Sequence, residues 1–138
     1  MSGAKANPAD SSGYLLFDGP DDWADWLADN CTDADDAWLK IAKKGTGVTT
    51  VSYVDAVEVA LCYGWIDSQM RRLDETYVVQ RFTPRRARSP WSAINRAKAE
   101  QLIAAGRMAP SGLAEVERAK ADGRWAAALD DAKPPVVQ

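Results

Sequence analysis

Apolar positions along the chain change period several times, and each period predicts an element. Trp23, Trp26 and Leu27 stand at i, i+3 and i+4, the stripe of an amphipathic helix. Pro20 suits the first helical position, and Asp21 with Asp22 falls in the first turn, where the helix dipole favours negative charge. That helix should end near Asn30. Ala37–Lys43 reads as a strand, stopped by Gly45-Thr46-Gly47. Ser52 as N-cap, with Asp55 at the capping-box position, predicts a helix to about Tyr63. Its expected inward face is Tyr53, Val57, Ala60 and Leu61, and Gly64 fits the C′ position.

The next stretch reads as a hairpin. Trp65–Arg71 alternates Trp65, Asp67, Gln69 and Arg71 on one face with Ile66, Ser68 and Met70 on the other. Leu73–Thr76 turns the chain, and Tyr77–Thr83 returns. Ser89 is expected to cap a helix that has Pro90 at its first position and is packed by Trp91, Ile94, Leu102 and Ile103, with Gly106 as its stop. Pro110–Asp122 makes a last helix, with Leu113 and Val116 inward and Gly123 at C′, and Trp125 folds back onto the body. About four helices and a small antiparallel sheet of about three strands, with no βαβ alternation, predict an α+β fold.

The length of 138 residues predicts one compact domain over 14–127, with a flexible lead at 1–13 and a tail at 128–138. Because histidine is absent, Ser-His and Cys-His nucleophiles and histidine-ligated zinc are excluded. Cys31 and Cys62, with no signal peptide ahead of them, predict reduced thiols and a cytoplasmic setting. No apolar run is long enough for a membrane span.

Charge is unevenly spread under a formal net of −3. Met1–Asp36 holds nine aspartates against Lys5, whereas Arg71–Arg107 holds nine bases against Asp74, Glu75 and Glu100. Such asymmetry predicts either an anionic ligand or an internal acidic–basic contact. The densest constellation runs from Trp65 to Asn95. Asp67 shares a strand with Arg71, and Arg81 stands on the partner strand. Arg85, Arg86 and Arg88 then precede Ser89, Trp91, Ser92 and Asn95 at a helix start. Unpaired N–H groups there, with arginine forks and serine hydroxyls, could grip phosphate, sulfate or carboxylate. An Asp67–arginine network with Ser89 as a plain cap accounts for the same residues. Trp65 and Trp91 could stack a planar ligand, while Trp23, Trp26 and Trp38 have core-like spacing. The acidic net charge and the lack of a groove-reading motif weigh against nucleic acid.

Several motifs occur in a shared order. They are Trp38-Leu39-Lys40 with Lys43, Lys44 and Gly47, then Ala60–Asp67, Arg81–Arg86, Ser89-x-Trp91-Ser92-x-x-Asn95, Gly106-Arg107-Met108, and Ala119-Lys120-x-x-Gly123-Arg124-Trp125. Together they resemble the YdeI/OmpD-associated (bacteriocin-protection) family over Phe17–Trp125. The resemblance implies a role in resistance to antimicrobial peptides or association with a porin, with no assigned reaction and no cofactor. Ser68 stands where relatives commonly carry glycine. Longer members continue into a helical C-terminal segment, whereas this chain ends at Gln138.

The expected function is therefore non-catalytic. A small anionic or planar ligand would be held by Trp65, Asp67, Arg81, Arg85, Arg86, Ser89, Trp91, Ser92 and Asn95, with Asp67 orienting an arginine. Two alternatives stand beside it: a protein-interaction module whose basic face meets an acidic partner, and an enzyme with Asp67 as general base.

Overall fold

The computed structural model describes residues 13–86 and 89–132, with side chains described as far as residue 128. The fold is α+β, with a three-stranded antiparallel sheet and, among the described residues, five helices. In chain order these are α1 (Pro20–Asn30), β1 (Ala37–Ala42), α2 (Tyr53–Cys62), β2 (Trp65–Arg72), β3 (Tyr77–Pro84), α3 (Ala93–Ala104), α4 (Pro110–Ala121) and α5 (Arg124–Ala132). Contacts group the chain into two compact units. The first is the chain up to Ala60 with Trp65–Pro84, and the second is Leu61–Gly64 with the chain from Arg85 on.

In the first unit the sheet order is β1-β3-β2, so the hairpin's return strand is central. Leu15 adds a parallel bridge to Leu39 on the outer side of β1. Leu39, Phe82, Trp23 and Leu27 are fully buried, and α1 contributes Trp23 and Leu27 from the stripe that the spacing predicts. Trp23 Nε1 donates to the Ala56 carbonyl at 3.0 Å, which satisfies the indole inside the core. Ser52 Oγ accepts from the Asp55 N–H, as its capping position requires. The inward face of α2 differs from expectation. Ala56, Val59, Ala60, Leu61 and Cys62 are buried, while Tyr53 is 41% exposed.

A bulge in β2 is the main departure from simple alternation. Asp67 pairs with Phe82, but Met70 pairs with Gln80, so β2 spends one residue more than β3 over that interval. Gln80 shows why. Its side chain is 2% exposed, and its amide donates to the Gln69 carbonyl at 3.0 Å and to the Arg81 carbonyl at 2.9 Å. A buried amide needs acceptors, and the bulge turns one toward it. As a result Asp67 lies on the Phe82 face and Arg71 on the opposite, Val79 face. The strict alternation that placed Asp67, Gln69 and Arg71 together is corrected.

In the second unit Trp91, Ala99, Leu102, Val116, Ala119, Trp125 and Ala128 form one core with Leu61 and Cys62. Helix α3 starts at Ala93 with Ser92 as its N-cap, three residues later than the sequence pattern suggests. Ile94 is 79% exposed and Ile103 is 37% exposed, so neither packs as expected. Leu113 of α4 is likewise exposed, and Gly112 and Val116 are the buried positions. Gly112 is needed: a Cβ there would overlap the Cys62 carbonyl oxygen and lie 2.7 Å from its carbon. Trp125 belongs to an additional helix, α5, which runs through residues that the sequence reading assigns to a tail. Neither Cys31 nor Cys62 is in a disulfide.

Candidate functional site

The nine candidate residues divide between the two units. In the first unit, Trp65 is 1% exposed. Its ring meets Trp23 and Trp26 edge-on, at 6.5 and 6.1 Å between centroids. Its Nε1 donates to the Cys31 carbonyl at 3.2 Å. Trp65 is therefore a core side chain and offers no face for a planar ligand. Asp67 does not orient an arginine: its Oδ2 accepts from the Tyr53 hydroxyl at 2.9 Å. Desolvation first, then the hydrogen bond and charge of Asp67, hold the Tyr53 phenol above its ordinary pKa. Arg81 instead pairs with Asp36, Nε to Oδ2 at 3.0 Å, on the other face of the sheet.

In the second unit a cluster does form, around the extended segment Ser89-Pro90-Trp91. Arg85 is 6% exposed. Its guanidinium lies 3.9 Å over the Trp91 ring, and its Nη1 donates to the Pro90 carbonyl at 3.1 Å. This contact, made on a segment that Pro90 already stiffens, accounts for the late start of α3. The Arg85 backbone N–H donates to the Gly64 carbonyl within the same unit. Ser89 is not a helix cap, because its Oγ accepts from the Arg86 N–H at 2.8 Å. Ser92 caps α3 by accepting from the Asn95 N–H at 3.0 Å, so Ser92 and Asn95 are committed to the helix start. Arg86 and Ser92 are exposed. Arg88 lies outside the described residues.

Two contributors come from further along the chain. Arg124 Nη1 donates to the Ser89 carbonyl at 2.6 Å. Its Nε reaches both oxygens of Asp122, at 2.9 and 2.8 Å, and its side chain is 15% exposed. Desolvation pushes the Asp122 carboxyl up, but the Arg124 backbone N–H and guanidinium pull it down further, and it settles below its ordinary pKa. Trp125 packs edge-on to Trp91 at 5.1 Å. Two buried donors here, Trp91 Nε1 and Arg124 Nη2, meet no acceptor among the described residues. The sequence reading missed Arg124. The available signal was an arginine directly after a C′ glycine and before a tryptophan.

Among the described residues no group of acidic or thiol side chains is arranged to hold a metal, and no helix is long and apolar enough to cross a membrane. The arrangement defines an α+β protein with arginines packed against a buried tryptophan pair in its helical unit. The chain belongs to a family described as a domain of unknown function (DUF8412), whose model matches residues 15–115. No curated protein and no solved structure matches it.

Proposed function

We propose that this protein is a non-catalytic binding module for a small oxyanion, a phosphate, sulfate or carboxylate group, held in the helical unit by Trp91 and Arg124 with Arg85 beside them. The observation that carries the reading is the pair of buried donors, Trp91 Nε1 and Arg124 Nη2, that have no acceptor among the described residues. A buried N–H without an acceptor costs ~1–3 kcal/mol, and an oxyanion supplies several acceptors at once. Arg124 also presents a guanidinium fork already fixed on two sides, by Asp122 and by the Ser89 carbonyl. A prearranged fork loses little freedom on binding. The planar half of the expected ligand has less support, since the Trp91 ring is covered by Arg85 and Trp125. The resemblance to bacteriocin-protection proteins supports a protective role in the cytoplasm for such binding.

Thermal unfolding against phosphate, sulfate, citrate and nucleotides tests the reading. An anion at a hundred times its dissociation constant stabilises by ~2.7 kcal/mol and raises the midpoint by several degrees. Arg124→Gln removes that shift. Trp91→Phe keeps an aromatic side chain but loses the indole N–H with its five-membered ring, so it weakens the shift even if Arg124→Gln proves unstable. A folded wild-type chain that responds to no anion in the panel overturns the proposal.

A further inference from the structure

The sheet of the first unit has a second face that the candidate site does not use. Across β1 and β3, Trp38 stands opposite Arg81, Lys40 opposite Val79, and Ala42 opposite Tyr77. The bulge brings Arg71 of β2 onto this face, opposite Val79. Leu15 runs beside β1 through its N–H to the Trp38 carbonyl and its carbonyl to the Lys40 N–H. That places Tyr14 against Trp38, at 6.3 Å between ring centroids. Three aromatic rings and three cations therefore share one surface.

Their mutual geometry is specific. The Arg71 guanidinium lies 4.5 Å over the Trp38 ring, and Lys40 Nζ lies 4.2 Å over the Tyr77 ring. Val79 between them is 1% exposed although it points away from the Phe82 face. Arg71 is exposed, and Trp38, Tyr77, Lys40 and Arg81 are half-buried. Asp36, paired with Arg81, and Asp74, near Lys40 on the hairpin turn, are the carboxylates whose contacts reach this cluster. Trp38 and Tyr77 pair with positions four residues apart along the strands, about 13 Å.

We infer that this face binds single-stranded nucleic acid. Charge complementarity comes from Arg71, Lys40 and Arg81 toward a phosphate backbone. Arg71 and Tyr14 already pack on Trp38 and Lys40 on Tyr77, so the flat partner for a base is the exposed guanidinium plane of Arg71 stacked on Trp38, with Tyr77 and Tyr14 beside it. Bases stack on aromatic or arginine planes without sequence readout, so no groove-reading motif is needed. An acidic peptide would satisfy the cations and leave the rings without a flat partner. The overall charge of −3 is carried largely by the aspartate-rich N-terminal third, and it limits affinity without removing the local basic field.

The test is fluorescence anisotropy of an end-labelled oligo(dT) of about 12 nucleotides, titrated with the full chain. Three phosphate contacts predict a slope of about −2 in log affinity against log salt, roughly twentyfold between 0.05 and 0.2 M. Trp38→Ala should weaken binding about tenfold or more. Arg71→Ala, at an exposed position, should weaken it several-fold with unchanged circular dichroism, and it stands in if Trp38→Ala does not fold. The inference is overturned by no binding at low salt, by equal competition from poly-glutamate, by a duplex of the same length binding as tightly, or by Trp38 and Arg71 variants that bind like the wild type.

Discussion

Tyr53 and Asp67 meet across 14 positions, and their contact sets a pH response at the residue scale. The folded-state pKa of Tyr53 is raised. The stability that this contact contributes is therefore fully present below the unfolded tyrosine value near 10, and it is lost as pH rises through the folded value. Tyr53→Phe should abolish that alkaline loss, read as thermal midpoints between about pH 8 and 11. Asp74 behaves oppositely. Backbone N–H donors of Tyr77 and Thr76 lower its pKa, so its contribution is present above the unfolded value and is lost as pH falls through the folded one. Asp74→Ala should flatten the acid limb of the stability curve. Partners of this kind were not legible in the sequence. Asp67 stood near arginines along the chain, but pairing depends on which sheet face a residue occupies, and one bulge exchanged that.

At the scale of elements the sequence was more informative. Prolines, capping serines and the periodicity located α1, β1, α2 and both hairpin strands to within a residue or two. The errors have local causes. Ser89 and Ser92 both precede apolar residues, and only the arginine on the Pro90 carbonyl decides which of them caps α3. Ser92→Ala should cost about 1 kcal/mol in unfolding free energy, the usual price of a lost N-cap. Ser89→Ala should leave α3 intact and remove only the bond that its hydroxyl accepts from the Arg86 N–H. Gly112 makes a sharper test, because glycine to alanine inside an exposed helix normally stabilises by close to 1 kcal/mol. Here the added methyl meets the Cys62 backbone, so Gly112→Ala should destabilise by ~1–3 kcal/mol, measured by denaturant unfolding.

For the molecule as a whole, the six tryptophans divide by environment. Trp23, Trp65, Trp91 and Trp125 are buried, Trp26 is half-buried on the aspartate-rich α1, and Trp38 is half-buried beneath Arg71 and on the same face as Arg81. An anionic quencher should therefore be drawn to Trp38. Iodide should quench more strongly than caesium, and Trp38→Phe should remove most of that difference. Spacing groups Trp38 with the core, and the acidic net charge weighs against nucleic acid, yet a net charge averages away a local basic patch. The place of Arg71 in that patch follows from the register beyond the β2 bulge, where Met70 pairs with Gln80 and Arg71 with Val79. In an ordinary strand, losing one residue inverts every side chain beyond the gap. Here β2 carries one residue more than its partner needs between Asp67 and Met70. A chain lacking Ser68 would lose the spare residue and keep the pairing of Met70 with Gln80, so Arg71 would stay on its present side. Homologous chains one residue shorter at this point should carry the same two faces, and would leave the buried Gln80 amide to find an acceptor other than the one that the bulge turns toward it.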